Sequence, residues 1–213
     1  MEFDNFTERI SKIKNLPLPG QDSHYKMAPE ERIVHLKALD VQKKKPKMAA
    51  VMALFYPDRK GETHLLLILR KTYPGVHSNQ VAFPGGKMEK GDADLEHTAL
   101  RETSEEVGVA PHAVEVVRAL SKIYIPPSNF EVQPFLGLYP IVQPFQIQES
   151  EVEALLEVPL RDFMDDGRVV RQTLTTSYAE NIAVPAFELN GHMVWGATAM
   201  ILSEVKELFK QVM

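Results

Sequence analysis

The chain has 213 residues, a net charge of −5 and an apolar fraction of 44%, enough for the core of one ordinary domain with or without an extension. Its mild acidity argues against nonspecific nucleic-acid binding, which favours a basic face, and the absence of cysteine excludes a disulfide, a thiolate nucleophile and a cysteine-ligated zinc site. Met1-Glu2-Phe3-Asp4 does not begin a basic-then-apolar secretion signal and no apolar run reaches membrane-spanning length, so a cytoplasmic protein without membrane or nucleic-acid partners is expected.

Phe6, Ile10, Ile13 and Leu16 recur at helical spacing and predict an amphipathic N-terminal helix. Pro17-Leu18-Pro19-Gly20 ends it, and Pro29 opens a second short helix through Ile33 and Leu36. Lys43-Lys44-Lys45-Pro46-Lys47 forms a basic, exposed joint between an extension at 1–47 and a domain at 48–213. Two apolar runs, Met48 to Tyr56 and His64 to Leu69, flank the turn Asp58-Arg59-Lys60-Gly61 and read as a hairpin. A helix is expected from Leu95 to Val107. Further strands are expected at Ala113 to Ile125, Glu131 to Tyr139, Arg168 to Thr175 and Ile182 to Phe187, with a loop at Pro126-Pro127-Ser128-Asn129 and a short helical turn at Leu160 to Met164. Asn190-Gly191 signals a hairpin. A closing helix from Ala197 to Val212 turns Met200, Ile201, Val205 and Leu208 inward. The expected fold is a mixed α/β (α+β) sheet with helices on its faces.

The chemistry concentrates between Phe83 and Val109. On the helix from Leu95, Glu102, Glu105 and Glu106 fall at i, i+3 and i+4 and share one face. Like charges at that spacing weaken a helix, and a hard divalent cation, Mg²⁺ or Mn²⁺, is the natural compensation. The other face carries Leu100, Thr103 and Val107 for packing. Asp92 or Asp94 serves as N-cap, Gly108 as left-handed C-cap, and Arg101 lies four residues before Glu105, where it steadies that carboxylate. Gly85 and Gly86 let the backbone approach a ligand, with amides free to face phosphate oxygens.

These residues resemble the Nudix box. Gly86 matches its first glycine, Arg101-Glu102 its Arg-Glu pair, Glu105-Glu106 its Glu-Glu pair, and Gly108-Val109 its end. Asp92 stands where the box has its first glutamate, with one extra residue before Arg101, and Thr103 replaces an apolar residue. The flank is similar to the coenzyme A pyrophosphatase branch: Arg70, His77, Gln80 and Phe83-Pro84-Gly85-Gly86 match, Asn79 replaces a glycine, and Pro74-Gly75 stands where Leu-Arg is common. Ile125 to Phe130 and Trp195 to Met200 also resemble that branch. The resemblance implies a Nudix α/β/α sandwich over 48–213. It implies metal-dependent cleavage of coenzyme A or its acyl derivatives to 3′,5′-ADP and 4′-phosphopantetheine. Glu102, Glu105, Glu106 and the Gly86 carbonyl would be metal ligands. Glu102, Glu105 and Arg101 would carry the catalysis, and Arg70, His77, Gln80 and Gly85 would bind substrate. The general base varies among family members, and the Glu149, Glu151, Glu153 region is a further source. A homodimer is plausible by analogy. ADP-ribose or a dinucleotide is the alternative substrate. A noncatalytic sensor would lack the helix glutamates, and an isomerase of this fold would use a cysteine.

Overall fold

The computed structural model describes residues 1–71, 80–174 and 182–213. The chain opens with α1 (Phe3–Ile10), a 3-10 turn (Ser11–Asn15), α2 (Gly20–Tyr25) and α3 (Glu30–Ala38). Then come β1 (Lys47–Pro57), β2 (Thr63–Arg70), β3 (Val81–Ala82), β4 (Gly85–Lys87) and α4 (Leu95–Val107). β5 (Glu115–Ala119), β6 (Ile123–Ile125), β7 (Phe130–Leu138), β8 (Val152–Pro159) and α5 (Leu160–Met164) follow. β9 (Val169–Leu174), β10 (Ile182–Leu189), β11 (His192–Val194) and α6 (Gly196–Phe209) complete the chain.

The main sheet has the order β3-β2-β1-β7-β5, with β4 also on β1, β6 on β7 and β8 on β2. β1 and β7 run parallel and the other pairs antiparallel, so the sheet is mixed, as expected. β1 shows why its sequence is almost unbroken apolar. Ala49, Ala53 and Phe55 point to one buried cluster, and Ala50, Met52, Leu54 and Tyr56 to another, because successive side chains alternate across a sheet that is covered on both faces. α1 and α6 cover the first face, where Phe55 meets Phe6 at 5.2 Å and Phe209 at 5.1 Å between ring centroids. α4 covers the second through Ala99 and Val107. The N-terminal helix is thus seated in the core: Phe6, Ile10 and Ile13 are fully buried, and Arg118 Nη1 donates to the carbonyls of Ile13 and Leu16. Among the described residues no helix is long and apolar enough to cross a membrane.

The hairpin at β1 and β2 pairs Tyr56 with His64. Asn190 and Gly191 turn β10 into β11 with φ of 49° and 77°, the left-handed pair that a two-residue hairpin turn requires. Two expectations change. The single strand from Ala113 to Ile125 is two, because both halves pair with β7 around Pro134, which has no N–H to donate. There Leu120 N donates to the Pro134 carbonyl at 2.9 Å, and the Gln133 side chain donates to Leu120 O at 2.7 Å. The second change is β8, which the sequence did not announce. Val152-Glu153-Ala154-Leu155-Leu156-Glu157 is rich in helix formers, yet it pairs with β2 along Arg70 to His64, so the sheet edge overrides local preference.

Candidate active site

β1 sets the frame. Its edge pairs with β2 over Leu54 to Pro57 and with β4 over Ala49 to Val51, so the glycine loop lies directly on the central strand. A Cβ at Gly85, whose φ is +148°, would fall on the Ala50 carbonyl oxygen and within 2.6 Å of Val51 Cα. Only glycine allows that approach.

α4 spans the thirteen residues expected of it. Asp94, not Asp92, is its N-cap, accepting from His97 N at 2.8 Å, and Gly108 closes it at φ 73°. Asp92 does something else. Its buried carboxylate accepts from Arg101 Nε at 2.8 Å, Arg101 Nη2 at 3.0 Å, Thr98 Oγ1 at 2.9 Å and Glu89 N at 2.9 Å. The Arg101 guanidinium first of all, with these other donors, holds the Asp92 carboxyl well below the usual carboxylate range. Arg101 in turn reaches Glu102 Oε1 and Glu105 Oε2, each at 3.0 Å, and donates to the Lys87 carbonyl at 3.2 Å. One buried aspartate therefore orients one arginine, which orients two glutamates.

The three glutamates do not stand alike. Glu106 is 1% exposed, Glu102 keeps 14% of its side chain exposed and Glu105 58%. Glu106 accepts from Gly85 N at 2.8 Å and from Arg70 Nη1 at 3.3 Å. Burial pushes its carboxyl up to about 7 against those donors, with help from the charges of Glu102 and Glu151. Burial also raises Glu102, where the pull of Arg101 is countered by Glu105 and Glu151. Glu151 arrives because the segment before it is fastened to the end of α4. Gln146 N donates to Val107 O at 3.0 Å and Gln148 N to Glu106 O at 2.9 Å. Of the acidic residues at 149–153, Glu151 is the one whose charge bears on both Glu102 and Glu106, while Glu153 pairs with Lys71 at 3.8 Å.

Among the described residues no three His, Cys, Asp or Glu stand gathered around one point as metal ligands; Arg101 engages oxygens of Glu102 and Glu105, and Arg70 and the Gly85 amide engage those of Glu106. The donor set nevertheless fits a hard cation. Burial, and behind it the charge of neighbouring carboxylates, raises the proton affinity of Glu102 and Glu106, and the Glu102 carboxyl fills the space a Cβ on Gly86 would occupy, bringing that oxygen-rich group against the glycine loop. Arg70, Gln80, Gly85 and Gly86 line one cavity of about 630 Å³, and Arg70 N donates to Gln80 O at 3.0 Å. His77, Asn79 and Pro74-Gly75 lie outside the described residues.

The NUDIX domain model matches residues 46–173. A Nudix hydrolase NudL of Salmonella paratyphi B is 36% identical over 148 residues, which is 69% of this chain and 76% of that protein. A MutT/nudix family protein from Enterococcus faecalis has the same fold, with a TM-score of 0.51 at 18% identity over 92% of this chain and 76% of that one. So does the Nudix hydrolase RenU from M. Smegmatis, with 0.50 at 13% identity over 79% and 88%.

Proposed function

The chain belongs to the Nudix hydrolase family, and from that premise we propose that it hydrolyses the diphosphate linkage of coenzyme A or an acyl derivative to 3′,5′-ADP and (acyl-)4′-phosphopantetheine. One observation carries the reading: an acidic ridge, running from buried Glu106 to exposed Glu105, meets a glycine loop that lines a cleft together with Arg70. The substrate choice rests on the flank, where Arg70, Gln80 and Phe83 to Gly86 match the coenzyme A branch.

Glu102, Glu105 and Glu106, with the Gly86 carbonyl, would hold Mg²⁺ or Mn²⁺. When bound, the cation neutralises the diphosphate and acidifies a water. Arg70 and the glycine-loop backbone would orient the anionic head, and Gln80 and His77 are assigned to substrate binding by the matching flank. Arg101 keeps Glu102 and Glu105 in place, and Asp92 keeps Arg101 in place. We assign the water's proton to Glu151, because Gln148 N donates to Glu106 O at 2.9 Å and Glu151 N to Gln148 O at 3.0 Å, which fastens Glu151 beside the ridge. Residues 1–47 are a helical extension of the hydrolase domain at 48–213, and the protein acts as a cytoplasmic homodimer, which sizing in solution tests.

Mass spectrometry of products formed from coenzyme A in ¹⁸O water, beside ADP-ribose and a dinucleotide, decides the substrate and the phosphorus attacked. Chelation with EDTA abolishes turnover. Glu105→Gln and Glu106→Gln each lower kcat by at least about a hundredfold with the fold intact. Normal turnover in both variants rejects the metal assignment.

A further inference from the structure

Part of the N-terminal extension forms a wall of the cleft. Met27, Ala28, Pro29, Arg32 and Leu36 line the same cavity of about 630 Å³ as Arg70, Gly85 and Gly86, a volume suited to a small-molecule site. Arg32 and Leu36 are four residues apart and so share one face of α3, with Pro29 capping its start, whereas Val34, on another face, is 71% exposed. α3 fully buries none of its nine residues: Leu36 packs against the core on one side and still lines the cleft on the other. Tyr124, Ile125, Phe130, Trp195 and Met200 supply more of the lining. The charge there has one sign. Among the described lining residues the charged ones are Arg32, Arg70 and Lys87, and none is Asp or Glu, in a chain whose net charge is −5. A largely apolar cleft edged by cations suits an anion that carries an apolar arm, and penalises a polar group that finds no partner along it.

We propose that Met27 to Leu36 is a specificity wall. It receives an apolar arm attached to the diphosphate, and so favours such diphosphates over those with a polar sugar in its place. The location of the diphosphate rests on the hydrolase reading above. The wall is anchored just before Met27. His24 Nε2 lies 3.0 Å from Glu204 Oε2 on α6, both side chains are buried, and Gly20 N donates to Glu204 Oε1 at 3.2 Å.

The test is calorimetric titration of the full chain in Mg²⁺, on the Glu105→Gln background, with coenzyme A, octanoyl-coenzyme A and ADP-ribose. The octanoyl ester should bind at least about tenfold tighter than free coenzyme A, the gain from roughly two newly buried methylene groups. Leu36→Glu should remove most of that ratio. Leu36→Ala, which keeps α3 helical, should remove part of it and covers the case in which a charge dislodges the helix. No binding, no preference, or a preference undiminished in both variants overturns the wall. Turnover by the unsubstituted chain is scored separately: binding with this preference but without hydrolysis would overturn the hydrolase reading and leave the wall standing.

Discussion

Gly86→Ala separates the site from the scaffold. Gly86 has no positive φ to preserve and pairs with Ala50 at the sheet edge, so alanine meets no backbone strain. Its Cβ, however, would land on the Glu102 carboxyl group, 2.6 Å from Oε1 and closer still to the carboxyl carbon and Oε2. Ordinary contact requires the carboxylate to retreat by about 1 Å. The Glu102 side chain is partly exposed and can rotate, while the lost glycine freedom favours the folded state by about 0.4–1 kcal/mol. Stability should therefore stay within about 1 kcal/mol of the parent. A displacement of about 1 Å at a reacting centre costs roughly a hundredfold in rate. The variant should melt like the parent yet hydrolyse a diphosphate about a hundredfold more slowly in saturating Mg²⁺. Gly85→Ala is the control, since its Cβ meets immobile backbone at a φ that favours glycine, and it should cost about 2–5 kcal/mol. Melting curves and steady-state rates on the two proteins suffice. Gly86→Ala turning over within about twofold of the parent would refute a working role for Glu102 at that position.

Three further outcomes follow from the same contacts. Asp92→Asn strips the buried partner from Arg101, which keeps 21% of its side chain exposed; a stability loss of about 3 kcal/mol, the low end for breaking a buried pair, should appear in urea melts with a fall in kcat, and unchanged stability would refute the clamp. Phe6→Ala empties a fully buried site between Phe55 and Phe209 and should cost about 3–5 kcal/mol, which denaturant titration reads directly. Burial pushes the Glu204 carboxyl up, but donors at His24 and Ser121 outweigh it and leave it below the usual range. A depressed carboxylate stabilises fully above its unfolded pKa and loses that contribution as pH falls through its folded value, so Glu204→Gln should flatten the acid limb of the stability curve below about pH 4.3; identical acid limbs would exclude the linkage.

Much of the fold follows from period and punctuation. The alternation of β1, the boundaries of α4 and the Asn190-Gly191 turn are local properties, and each segment carries its own signal. The acidic ridge is legible for the same reason, since three carboxylates on one helix face are fixed by spacing alone. What spacing does not fix is direction relative to the rest of the chain. Glu105 and Glu106 are neighbours in sequence, yet one is mostly in solvent and the other is buried against Gly85. β8 was hidden because its residues prefer a helix and become a strand only along β2. Spacing puts Leu36 on a short helix but does not say that this helix lies beside the cleft, which only the packing of the whole chain decides.

The cost of the ridge is met without waiting for a ligand. Burial first, and then the charges of Glu105 and Glu151 on Glu102 and of Glu102 and Glu151 on Glu106, raise the proton affinity of these two carboxylates, and the scaffold answers with the Gly85 amide, Arg70 and Arg101. Each answer is a positive or hydrogen-bonding group aimed at a carboxylate oxygen that a cation would otherwise take. A cation held by these carboxylates would take the same oxygens, and the Gly85 amide, Arg70 and Arg101 would then be free to meet an accompanying anion. Arg70 is the clearest instance: it is held at 3.3 Å from Glu106, a long and weak contact, and it lines the cavity. A group held this loosely between the ridge and the cleft is suited to pass from carboxylate to phosphate, which couples cation and substrate binding through one side chain. Arg70→Lys, which lacks the guanidinium fork, should weaken that coupling: added Mg²⁺ should tighten diphosphate binding less than it does in the parent, by about fivefold or more. Equal tightening in the two proteins, measured by titration with and without the metal, would show that Arg70 serves the fold alone.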